Sequence, residues 1–96
     1  MLIEEAYKQG DIITFKLNNG EEVVARLDKH GDGEFVVSKP MVLIAQQQGL
    51  GLAPFMFSVA PTSKFYMQHN GIMCIAKTES EIAKQYTTQT SGIALN

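Results

Sequence analysis

The stretch ITFKLNNGEEVVARL, residues 13–27, decides the fold. Apolar side chains alternate with polar ones at residues 13–17, and residues 23, 25 and 27 are again apolar, as in strands with one buried face. Between them lies Asn19-Gly20, the strongest short signal for a β-hairpin, because both positions tolerate positive φ. Two antiparallel strands joined by a tight turn are therefore expected.

The two-residue period continues downstream of this hairpin. Phe35 and Val37 begin a third strand, in which Pro40 marks a bend, a bulge or an edge, because proline cannot donate to a ladder. Residues 46–53 predict a glycine-containing loop or hairpin tip. Alternating or continuous apolar runs predict further strands at 55–59, 65–69 and 72–76.

Both ends of the chain carry helical signals. Residues 2–9 have one apolar stripe and end at Gly10, which predicts a short N-terminal helix. Thr78-x-x-Glu81 has the spacing of a capping box and predicts one or two helical turns reaching Tyr86. The small, polar residues after Thr87 are expected to fray.

Composition limits the classes of function. The 96 residues fit one domain, and a formal charge of −2, from 8 basic and 10 acidic side chains, argues against a polybasic binder. One cysteine excludes an intrachain disulfide, and the first residues lack the basic region of a signal peptide, so a cytoplasmic location is expected.

Residues Pro40–Ser63 form a segment without any charged side chain. Its prolines and glycines exclude a membrane-spanning helix, and no membrane contact is expected. Either Phe55 and Phe57 fill the core, or part of the segment lies in a contact between subunits. The second interpretation is favoured, because a domain this small has a thin core of its own.

Residues 13–27 resemble the first Sm motif of Sm, LSm and Hfq proteins, and Met67–Ile75 resembles the second. The resemblance covers residues 2–76 and implies a mostly β fold: a short N-terminal helix followed by a five-stranded, strongly bent antiparallel Sm-like barrel. In these terms residues 1–96 form one domain, with the helix at 1–10, the barrel at 11–77, and a short helix with a flexible tail at 78–96.

The sequence also departs from the family pattern. Ala25 stands where Sm domains usually have glycine, and Asn70-Gly71 replaces the Arg-Gly of the second motif. In the family an Asp-x-x-x-Asn pattern binds uridine. At its two positions this chain has Gly31 and Phe35 instead. A preference for uridine is therefore not implied.

The resemblance implies a homo-oligomeric ring of about five to seven subunits. It brings the turns after Asp28 and after Gln68 to one face, so Lys29, His30, His69 and Asn70 become the expected nucleic-acid contacts. Strand pairing between neighbouring subunits would use an interface made of Phe65, Tyr66, Met67, Gln68, Ile72, Met73, Cys74 and Ile75.

Catalysis and metal binding have little support in the sequence. Cys74 with either histidine is the sole nucleophile–base pair, and its alternation with Ile72 and Ala76 predicts a buried strand residue. Residues 30–33 could form a metal or phosphate loop, but a plain turn is favoured. No enzyme activity, cofactor or metal is expected.

Two functions from different classes stay open. The first is an Sm-like ring that binds single-stranded RNA, with DNA as a second ligand. The second is an oligomeric structural or adaptor barrel, such as a phage assembly subunit, that binds no nucleic acid. The net negative charge favours the second, whereas the absence of acidic residues between Glu34 and Glu79 allows the first.

Overall fold

A computed structural model describes the backbone of residues 7–94 and the side chains of residues 7–91. In this range six strands form one antiparallel sheet, followed by one helix. The elements are β1 (Ile12–Leu17), β2 (Glu22–Gly31), β3 (Glu34–Gln46), β4 (Gly49–Pro54), β5 (Lys64–Gln68), β6 (Ile72–Lys77) and α1 (Ser80–Ala94).

The first hairpin forms as its sequence predicts. Ile13 lies opposite Ala25 and Phe15 opposite Val23, and Gly20 in the connecting turn has φ +96°. All four of these paired side chains are fully buried. The apolar alternation therefore sets the register, because a slip of one residue would turn these side chains to the other face of the sheet.

Strand β3 holds the sheet together, because each half pairs with a different neighbour. Residues 34–38 pair with β5, and residues 41–46 pair with β4. Between the halves Lys39 has φ +50° and Pro40 follows it, and the register against β2 shifts at the same place. Of the bend, bulge or edge that Pro40 left open, the structure therefore has an irregular bend within the strand. The Tyr86 hydroxyl of α1 donates to the main-chain oxygens of Lys39, at 2.8 Å, and Ser38, at 3.2 Å.

Each face of the sheet carries its own apolar cluster. The inner cluster consists of Ile13, Phe15, Ala25, Leu27, Phe35, Val37 and Met67. The outer cluster consists of Val24, Met41, Leu52 and Tyr86. Helix α1 covers the outer cluster, and its Gln85 and Gln89 donate to the main-chain oxygens of Leu50, at 3.2 Å, and Leu52, at 2.9 Å.

The prediction of a closed five-stranded barrel is wrong. The sheet order is β4-β3-β2-β1-β6, with β5 also on β3, and within residues 7–94 no ladder joins β5 to β6. The sheet therefore stays open, with six strands instead of five. Closure fails because the turn His69–Gly71 connects β5 and β6 while each of these strands pairs with a different partner.

The predicted N-terminal helix is also wrong where the structure can be compared with it. Residues 1–6 lie outside the described range, and residues 7–10 form no helix. Instead Lys8 donates its main-chain N–H to the Asp11 carboxylate at 3.0 Å, and Gly10, with φ +94°, donates to the Leu27 oxygen at 2.8 Å. These bonds hold the chain in a turn at the start of β1.

The C-terminal helix is longer than the sequence predicts. It runs to Ala94, although residues after Thr87 were expected to fray. Its first turn is capped by Glu79, whose carboxylate accepts the main-chain N–H of Ile82 at 2.6 Å; Thr78 instead bonds Thr14. No helix within residues 7–94 is both long and apolar enough to cross a lipid bilayer.

Residues 55–63 form an irregular loop, although alternation at Phe55, Phe57 and Val59 predicts a strand. Pro54 precedes this loop and Pro61 lies within it, and neither can donate to a ladder. Phe55 packs against the inner cluster, whereas Phe57 is 84% exposed. The alternation therefore reflects one side chain facing the core and one facing solvent, without strand pairing.

Candidate nucleic-acid interface

Two turns meet at one end of the sheet. The turn at residues 31–33 joins β2 to β3, and the 3₁₀ turn His69–Gly71 joins β5 to β6. Because Glu34 of β3 lies opposite Gln68 of β5, the two turns come into contact. The main-chain N–H of His69 donates to the Gly33 oxygen at 3.0 Å, which fixes their relative position.

Three rings form a cluster at this junction. His30 lies opposite Phe35 in the β2–β3 ladder, and their ring centroids are 4.2 Å apart with 20° between the ring planes. The ring of His69 approaches Phe35 at 4.7 Å and His30 at 5.5 Å. The two histidines, 39 positions apart in the sequence, therefore share one aromatic support, which we call the His30–Phe35–His69 cluster.

Phe35 connects this cluster to the core. Its side chain is 6% exposed, and its ring centroid lies 5.3 Å from that of the buried Phe15. Both histidines are exposed. A histidine ring that packs on Phe35 and is otherwise exposed is suited to stacking on a flat ligand with little loss of side-chain freedom.

Asn70 and Lys29 are the other two predicted contacts, and they differ in their position relative to the ring cluster. Asn70 is exposed in the 3₁₀ turn, and its main-chain oxygen accepts the Asn18 side-chain amide at 2.7 Å. Lys29 is exposed on β2, directly before His30. Successive strand residues face opposite sides, so the Lys29 side chain points away from the ring cluster.

The junction has no excess of positive charge. Asp28, Asp32 and Glu34 lie within seven residues that contain one lysine, Lys29. Asp28 is neutralised by Lys64, with Nζ 2.9 Å from Oδ2. Glu34 accepts a hydrogen bond from the Gln68 amide at 3.2 Å. A ligand at this junction would therefore be held mainly by ring contacts, with a small contribution from phosphate neutralisation.

Sequence reasoning missed two residues of this junction. Phe35 was predicted as a strand residue and as a departure from the uridine pattern but not as a part of the site, yet its ring supports both histidines. Asn18 holds the 3₁₀ turn from the β1–β2 turn, with its main-chain N–H also donating to the Gly71 oxygen at 3.0 Å. The ladder register of His30 against Phe35 is the signal that could have identified the first.

Of the residues in the predicted subunit interface, some are buried in the core and others are exposed to solvent. On β5, Met67 is buried and Phe65 half-buried, whereas Tyr66 and Gln68 are exposed. On β6, Ile72 and Ile75 are half-buried and pack on the inner cluster. Met73 and Cys74 are exposed, so the prediction of a buried cysteine is wrong. The buried and half-buried apolar members of this set therefore pack in the core of the chain itself.

The edges of β5 and β6 are open within the described range. β5 pairs with β3 on one side, β6 pairs with β1 on one side, and neither has a second strand partner among residues 7–94. Tyr66, at 60% exposure, and Met73, at 65%, are the large apolar side chains exposed on these strands. Open edges of this kind can accept a strand from another chain.

Metal ligation has no ready set of donors here. Among the described residues, no three histidine, cysteine or carboxylate side chains lie close enough together to hold an ion. The resemblance to Sm proteins rests on the motifs quoted above. Among known protein families and curated proteins, none matches this chain.

Proposed function

We propose that this protein is a non-catalytic, Sm-like binder of single-stranded nucleic acid, RNA before DNA, that works as a homo-oligomeric ring. The observation that carries the proposal is the contact of the exposed His30 and His69 rings with one buried phenylalanine at the end of the sheet. Stacking on such rings accepts any base, because every base has a π-face.

The surrounding groups support a weakly selective site. The exposed Asn70 side chain can hydrogen-bond a base edge, as amides do in single-stranded RNA recognition. Lys29, on the other side of β2, can neutralise one phosphate of the same strand of nucleic acid. Since Gly31 and Phe35 stand where the family has its uridine contacts, we expect little preference for uridine.

The open edges of β5 and β6 support assembly. Pairing β5 of one subunit with β6 of the next would satisfy the free main-chain groups of both strands. It would also cover Tyr66 and Met73. A ring built this way repeats the His30–Phe35–His69 cluster once per subunit, so weak individual contacts add along one strand of nucleic acid.

Binding of labelled single-stranded RNA and DNA over a salt series tests the ligand. His69→Ala should remove a stacking contribution of about 1–3 kcal/mol and leave the salt slope unchanged. Lys29→Ala should weaken binding to all sequences alike and reduce the slope by about 1. Lys84→Ala, an exposed lysine on α1, is the matched control and should bind like the parent.

A parent protein that binds neither nucleic acid at low salt would contradict the proposal, as would a His69→Ala variant that binds like the parent. Assembly is tested separately by light scattering. Met73→Asp should dissociate the oligomer without unfolding it, because Met73 is 65% exposed in the subunit. A parent that is monomeric at micromolar concentration would exclude the ring.

A second candidate function is an oligomeric structural or adaptor subunit, such as a phage assembly component. The net charge of −2 and the six large apolar side chains exposed in the described range favour it. It predicts a defined oligomer that binds no nucleic acid at any salt concentration. The same two measurements therefore distinguish the two functions.

A further inference from the structure

The uncharged segment Pro40–Ser63 forms the second half of β3, all of β4 and the loop at residues 55–63. Six large apolar side chains are exposed in the described range, and four of them belong to this segment. They are Ile44, at 40% exposure, Leu50, at 44%, Met56, at 46%, and Phe57, at 84%. The segment therefore presents most of the apolar surface that the subunit leaves uncovered.

A groove of about 440 Å³ lies between the loop at 55–63, the bend of β3 and helix α1. Its lining includes the buried Met41, the loop residues Val59 and Pro61, and Phe57, which is 84% exposed. Lys39 is the one charged side chain that lines it. None of the residues that line the groove belongs to the His30–Phe35–His69 cluster.

We propose that the groove and Phe57 form an interface between two copies of this chain, related by a two-fold axis. Phe57 both lines the groove and projects from it, so one patch carries the projection and the recess. Such a patch is self-complementary, and a two-fold axis lets each copy insert its own Phe57 into the groove of the other.

The absence of charge selects a second copy over a charged partner. A nucleic acid or an acidic peptide docked on residues 40–63 would lose hydration while meeting no opposite charge except that of Lys39. A second copy brings an equally uncharged surface. This contact is separate from the edges of β5 and β6 and does not depend on nucleic-acid binding.

Phe57→Ser tests the contact by light scattering over a concentration series. The variant should weaken association of the two copies about tenfold or more, because a large apolar side chain stays in water. Its fold should be unchanged, since Phe57 is 84% exposed in the subunit. Lys84→Ala, on the exposed side of α1 and outside the groove, is the control and should keep the two-fold contact.

A second variant reports on the contact directly. The chain contains no tryptophan, so Phe57→Trp introduces a single fluorophore at the groove. Its emission should shift to shorter wavelength as the mass rises with concentration. High salt should leave the association intact, because no charge pairs contribute to it.

Three results would overturn the proposal: a parent whose mass shows no two-fold association through the series, a Phe57→Ser variant with the mass of the parent, and a tryptophan that stays fully exposed while the mass rises. The last result would assign assembly to another face. None of these results bears on nucleic-acid binding, which the Phe57 variants should leave unchanged.

Discussion

The buried hydroxyl of Tyr86 is the most testable polar group in the fold. The side chain is 2% exposed, and its hydroxyl donates to the carbonyl oxygens at the bend of β3, including that of Lys39 with its positive φ. Tyr86→Phe keeps the ring and deletes this bond. The free energy of unfolding should fall by about 1–2 kcal/mol, because two carbonyls lose their donor in a buried place.

The pH dependence of stability gives a sharper form of the same prediction. Burial raises the pKa of Tyr86 to about 12, against 10.0 for an ordinary tyrosine. Below pH 10 the hydroxyl is protonated in both the folded and the unfolded chain, so its contribution is fully present. Between pH 10 and 12 only the unfolded chain releases the proton, and the folded state loses about 2–3 kcal/mol relative to the unfolded one.

Urea unfolding of the parent and of Tyr86→Phe at one protein concentration, from pH 7 to pH 12, measures this effect. The parent should be the more stable at pH 7, and its advantage should disappear above pH 10. Tyr66→Phe is the matched control, because Tyr66 is 60% exposed. A difference between parent and Tyr86→Phe that stays constant from pH 8 to pH 12 would refute the reasoning.

Two further changes test local backbone features. Glu79→Ala removes the carboxylate that accepts the Ile82 N–H and should lower the free energy of unfolding by about 1 kcal/mol. Glu79→Asp should retain most of the stabilisation. Equal melting temperatures for the two variants would contradict the cap. Lys39→Gly should cause no loss and a gain of up to about 1 kcal/mol, because glycine adopts φ +50° without strain. Val36→Gly, in the same strand, should instead cost about 1 kcal/mol or more, and a similar loss in both variants would argue against strain at Lys39.

The parts of the fold that the sequence predicts are those fixed by short-range pattern. The hairpin at residues 13–27 follows from alternation and an Asn-Gly turn, and the bend in β3 follows from Pro40. Closure of the sheet depends on which strands pair over long distances. The pattern at residues 65–76 is the same whether β5 and β6 pair with each other or, as observed, with β3 and β1.

In the candidate site, too, short-range pattern predicts some features, whereas others depend on long-range strand pairing. The resemblance to Sm proteins implies that the turns with His30 and His69 meet at one face, and the distance of 5.5 Å between the ring centroids agrees with this. Sequence reasoning misses Phe35, because the importance of that ring comes from its ladder position opposite His30. It also misjudges Cys74, since alternation gives the side of a strand that a residue faces without saying whether anything covers that side.

Two glutamines of α1 cover one edge of the open sheet. By bonding the Leu50 and Leu52 oxygens, Gln85 and Gln89 occupy the side of β4 that faces away from β3. A strand from another chain can therefore be added beside β5 or β6 but is shut out beside β4. Because the helix covers this edge, a chain cut before Ser80 would expose β4 as a third open edge among the described strands, and we expect it to aggregate more readily.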